Sequence, residues 1–162
     1  MVALYTANGS GTKLYQGFLD GHPQILMVPV YPLMYFYPHW HQWREELKCR
    51  WGWPALIDAV CEKHASLIDT RNIPGHDGLG QLGGEHNEFI SIDESLFRAF
   101  LARLLEGEPV SARTFLLAIH YAYAFCRGED LRAKKVLVYH IHVHVYLPEY
   151  LHRAPLRVLR GW

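Results

Sequence analysis

Val2-Ala3-Leu4-Tyr5-Thr6 is followed by Asn8-Gly9-Ser10-Gly11-Thr12-Lys13 and then by Leu14-Tyr15-Gln16-Gly17-Phe18-Leu19. An apolar strand signal enters a glycine-rich turn, and the turn opens directly into a helix-compatible segment. That order builds an anion site. Glycines let successive backbone N–H groups converge on phosphate oxygens, the helix N-terminus adds partial positive charge, and Ser10, Thr12 and Lys13 add hydroxyl and ammonium donors. The stretch is not the strict G-x-x-x-x-G-K-[ST] loop, because Leu14 follows Lys13. On pattern alone, a phosphate loop and a plain tight turn both satisfy these residues.

Working outward, Val2 to Thr6 is the first strand and Thr12 to Leu19 the helix after it. Asp20-Gly21-His22-Pro23 stops that helix, and Gln24 to Val30 reads as an apolar, β-branched second strand. Tyr31 to Trp53 crowds eight tyrosines, phenylalanines and tryptophans between Pro32, Pro38 and Pro54, with a helix expected over His39 to Cys49. Pro54 to His64 reads as a helix, and the glycine-rich stretch Asp69 to Glu88 as a long loop. Asp93 opens a helix whose apolar face carries Leu96, Phe97, Phe100, Leu101, Leu104 and Leu105. Ser111 caps another, Ala112 to Cys126, which Gly128 ends. Val136 to Val145 is the strongest strand signal, with a short helix over Leu147 to His152 and a last strand over Leu156 to Leu159. Strands separated by helices predict an α/β fold, a parallel sheet with helices on its faces, in a single domain over residues 1–162.

Composition narrows the partners. Half of the 162 residues are apolar, enough for a sizeable core, and 16 basic residues balance 16 acidic ones. Zero net charge argues against a general nucleic-acid or membrane-surface binder, yet permits a small anion held by a few local donors. Cys49, Cys61 and Cys126 are odd in number and far apart, as expected of thiols in a reducing compartment. Residues 8–13 interrupt any signal-peptide pattern, and no run has the length and apolarity of a membrane span, so the expectation is a soluble, cytoplasmic protein.

Ser10-Gly11-Thr12, an apolar helix, and then Asp20-Gly21-His22-Pro23-Gln24-Ile25 resembles the opening of the sulfotransferases that use 3′-phosphoadenosine 5′-phosphosulfate (PAPS). Phe115-Leu116-Leu117-Ala118-Ile119-His120-Tyr121-Ala122-Tyr123 and Lys135-Val136-Leu137-Val138-Tyr139-His140-Ile141-His142 are similar to the middle helix and the histidine-bearing strand of bacterial members. The resemblance implies a three-layer P-loop sheet and sulfuryl transfer from PAPS to a hydroxyl or amine of a small-molecule or glycan acceptor, with no metal. It assigns Asn8, Gly9, Ser10, Gly11, Thr12 and Lys13 to the 5′ phosphosulfate. Cytosolic members place a lysine just before their S-G-T, where this chain has Gly9; its lysine is Lys13, placed by the resemblance near the leaving phosphate. Arg160 matches the arginine of the 3′-phosphate site. The serine and the glycine-rich adenine loop that follow in the family are not found before Gly161-Trp162. The fold is therefore expected to be C-terminally incomplete, transferring sulfuryl groups poorly by itself and exposing a sheet edge that invites self-association.

His140, His142 and His144 alternate with Ile141, Val143 and Val145, which places the imidazoles on one strand face. By resemblance, His140 or His142 is the base that takes the acceptor's proton. The same alternation also suits a polar strand face covered by the aromatic segment. It suits a metal site as well, with His39, His41, Glu85 or His86 as further ligands. The aromatic segment itself reads either as an acceptor pocket or as core. The rival to an enzyme is a binding or assembly module that keeps the strand–loop–helix frame and uses the aromatic segment as a partner surface.

Overall fold

In the computed structural model the described residues are 2–6, 12–28, 33, 35–72, 85 and 87–142. The chain forms β1 (Val2–Thr6), α1 (Thr12–Leu19), β2 (Ile25–Leu26), α2 (Phe36–Leu47) and a 3-10 turn (Lys48–Arg50). It continues with α3 (Trp53–Lys63), α4 (Ala65–Ile68), α5 (Glu94–Leu105), α6 (Ala112–Cys126) and β3 (Val136–His142). The three strands lie in the order β1-β3-β2, and both pairings are parallel. The architecture is α/β, as the alternation of strand and helix signals implies.

Helix ends follow local chemistry. The Asp93 carboxylate accepts from the Leu96 N–H at 2.9 Å, and the Ser111 hydroxyl accepts from the Thr114 N–H at 3.1 Å. Past the end of α6, Gly128 adopts φ +71°, a left-handed conformation that an L side chain would strain. Pro54 sits in the first turn of α3. Three boundaries differ from the sequence reading. α2 starts at Phe36 rather than His39, with Pro38 inside its first turn, where a missing N–H leaves no intrahelical bond unmade. β2 covers Ile25–Leu26, without Gln24, Met27 or Val28, because its ladder with β3 is two residues long; positions 29 and 30 of the expected strand lie outside the described residues. α4 had no signal in the sequence, being a single turn against α3.

The glycine-rich stretch is tied at its ends. Asp69 bridges Ser91, the Thr70 N–H donates to the Ile90 carbonyl at 3.0 Å, and the Ile92 N–H donates to the Ile68 carbonyl at 2.9 Å. The expected helix at Leu147 to His152, the expected strand at Leu156 to Leu159, and residues 143–145 of the histidine strand lie outside the described residues.

The core is built around α6, which buries Phe115, Leu116, Ala118, Ile119, His120, Ala122, Tyr123 and Ala124. α5 packs along it through Phe97, Leu101 and Leu105, all fully buried, and Phe100 stacks on Phe125 at 3.9 Å with nearly parallel rings. Phe36, Trp40, Trp43 and Trp53 surround Phe115 with centroid separations of 6.1, 6.0, 6.4 and 5.6 Å. Such tilted and edge-on contacts add to area burial. For these residues the choice between pocket and core is decided in favour of core. Among the described residues no helix is long and apolar enough to cross a membrane.

Leu101→Ala should cost about 2–5 kcal/mol, the loss of a buried leucine plus the cavity it leaves. Asp93→Ala at the exposed cap of the same helix should cost about 1 kcal/mol. Urea unfolding of the two variants measures both. Equal losses would mean that α5 is not held mainly by its buried face.

Candidate functional site

Backbone register decides what the strands bring together. β1 and β3 pair in parallel with Val2 opposite Val138, Leu4 opposite His140 and Thr6 opposite His142. β1 therefore ends beside the described end of β3, and α1 begins at Thr12 after the glycine-rich residues 7–11. The carboxyl ends of parallel strands, where a loop leads into a helix N-terminus, are where ligands of open α/β sheets collect. Of the candidate residues, Thr12 and Lys13 form the first turn of α1, and His140 and His142 belong to β3. Their side chains lie outside the described residues, as do Asn8, Gly9, Ser10, Gly11, His144 and Arg160 altogether. β3 also alternates: Leu137 and Tyr139 belong to the main core cluster, whereas the buried Val138, which shares its parity with positions 140 and 142, does not.

Tyr139 reaches the aromatic helix. Its phenol interacts with that of Tyr37 from α2, and burial raises the pKa of both hydroxyls, keeping them neutral. A second polar contact joins α2 to the α3–α4 junction. His39 Nδ1 lies 3.1 Å from His64 Nε2, so one imidazole donates and the other accepts. His64 is 4% exposed, and the Trp43 ring meets it edge-on at 5.9 Å. Burial, followed by the nearby Lys63 ammonium, lowers the His39 pKa and favours the neutral ring. His64 carried no motif in the sequence; only its place just after an apolar helix could have marked it as buried. Among the described residues no group of three or more histidine, cysteine or carboxylate side chains is placed to hold a metal ion.

No family model, curated protein or solved structure matches the chain. Its chemistry must be argued from its own residues.

The third polar group is His120, inside α6. Its Nδ1 lies 2.7 Å from the Leu116 carbonyl, an acceptor, so Nδ1 carries the proton. Complete burial lowers its pKa from 6.5 to about 4, more than the carbonyl bond can offset. The folded state thus resists a proton that the unfolded chain accepts. Stability from this group is full above pH 6.5 and falls as the pH drops toward 4, by about 3 kcal/mol. Urea midpoints taken across that window should show a decline that His120→Asn flattens by about this amount. An unchanged slope in the variant would mean that other groups govern the acid limb.

Proposed function

We propose that this chain is a PAPS-dependent sulfotransferase-type domain on a P-loop-like three-layer frame, and that it transfers a sulfuryl group to a hydroxyl or amine. One observation carries the reading: the parallel register that sets Thr6, the last described residue before the glycine-rich segment, opposite His142. PAPS supplies the activated sulfuryl group. Backbone N–H groups of residues 9–13, the Ser10 and Thr12 hydroxyls and the Lys13 ammonium bind the phosphosulfate and offset charge on the departing phosphate. His142, the last described residue of the β1–β3 ladder, takes the acceptor's proton as the new bond to sulfur forms and the bond to phosphate oxygen breaks. Arg160 binds the 3′-phosphate. The acceptor is a small molecule or a glycan.

A binding module is the second reading, and its surface differs from the one the sequence suggested. Phe36, Tyr37, Trp40 and Trp43 are buried, so they are not a free face, whereas α1 exposes Tyr15 and Phe18 at 62% and 73%.

Titration with 3′-phosphoadenosine 5′-phosphate, the desulfated product, separates the two. The enzyme reading expects saturable binding that Ser10→Ala and Lys13→Ala each weaken by about tenfold or more, because loop donors hold the anion in the ground state. His142→Ala should leave that binding nearly intact while slowing transfer from radiolabelled PAPS by about a hundredfold or more. Absence of binding at millimolar nucleotide, or equal losses of affinity in all three variants, would favour the module.

A further inference from the structure

At the other edge of the sheet, where β2 and β3 begin, the described residues enclose a cleft of about 330 Å³. Its position follows from how the two strands are started. The Gln24 carbonyl accepts from both the Lys135 and Val136 N–H groups, at 2.8 and 3.1 Å, which pins the turn after α1 to the segment before β3. Lys134 lies between them with its side chain 4% exposed; its ammonium donates to the Ile25 carbonyl at 2.9 Å and is ion-paired with Glu129. The charges of Lys134 and Glu129 thus satisfy one another.

Three further charged side chains line the cleft: Asp20 after α1, Arg127 at the end of α6, and Asp130 in the following turn. No ion pair joins them among the described residues. Between them stands Tyr123. It is 2% exposed, it lines the cleft, and its hydroxyl makes no hydrogen bond among the described residues. The charges that act on this phenol are those of the cleft, Arg127, Asp20 and Glu129, and burial keeps it protonated. Its hydroxyl is not among the buried polar atoms, so it opens on the cleft, where it can donate to a bound ligand. Pro23, Ile90 and Ala133 supply an apolar wall.

We propose that this cleft binds a small zwitterion of the α-amino-acid class. Tyr123 and Arg127 take the carboxylate, one as hydroxyl donor and the other as guanidinium fork, and Asp20 and Asp130 take the ammonium. The apolar wall receives the ligand's side chain. The volume suits a ligand of that size and is small for a nucleotide. The site is independent of the sulfuryl-transfer reading, whose histidines His140 and His142 lie toward the other end of β3.

Calorimetric titration of the full chain with the L-α-amino acids tests the proposal. At least one should bind saturably at millimolar concentration or below. Its decarboxylated and deaminated analogues, which each keep one charge, should bind at least about tenfold more weakly. Tyr123→Phe retains the ring and removes only the donor, and Arg127→Gln changes an exposed side chain; each should weaken binding about tenfold or more with the thermal transition preserved. If Tyr123→Phe fails to fold, Arg127→Gln decides alone. Absence of saturation by every amino acid overturns the proposal. So does an amine analogue that binds as tightly as its parent, which would make the cleft a simple cation site, and so does affinity that the folded variants leave unchanged.

Discussion

The pairing of β1 with β3 is the constraint on which the rest of the fold depends. It joins residues 2–6 to residues 138–142, so nearly the whole described chain lies inside the loop that this ladder closes. Closing so long a loop has an entropic cost that grows only slowly with length, but the cost must be met before any ladder bond forms. The helical body meets it. α5 and α6 pack over a continuous apolar face, Phe115 gathers the aromatic rings of α2 and α3, and β3 is joined to this body through Leu137 and Tyr139. With β3 seated, β1 and β2 dock on either side of it.

A central parallel strand has two different ends, and the chain uses them differently. At the carboxyl end, Thr6 of β1 lies opposite His142 of β3. At the amino end, Gln24 and Lys134 tie β2 to β3, and a cleft with charges of both signs forms beneath α6. The carboxyl end is the one at which α1 begins, after the glycine-rich residues. The other lies beside the C-terminus of α6, where the helix dipole is negative and Arg127 is favourably placed.

The buried polar groups show how this body tolerates its histidines. His120 keeps its proton on Nδ1 for a backbone carbonyl within its own helix, and His39 and His64 satisfy one another across a helix junction. The His39–His64 bond needs one unprotonated ring nitrogen as acceptor, and burial keeps His120 neutral. A core of this composition therefore depends on pH through groups that have no need to touch a ligand.

Helices with a strong local signature were legible from the sequence. Asp93 and Ser111 announced α5 and α6 because a capping side chain bonds within its own turn, and the leucines and phenylalanines of α5 repeat at the spacing that makes one helical face. The glycine loop between β1 and α1 and the alternation of β3 were readable for the same reason: they are properties of neighbouring residues. The tertiary structure alone decided which strands pair, and in what register, because β-ladders join residues distant in sequence. It made Phe36, Trp40 and Trp43 core rather than surface, since these rings found Phe115 in a helix far along the chain. It also brought His39 to His64 and set the Asp20 charge near the Tyr123 phenol, pairings with no spacing rule to reveal them. Local periodicity and capping are written within a few residues; a site assembled from separate elements exists only once those elements have packed.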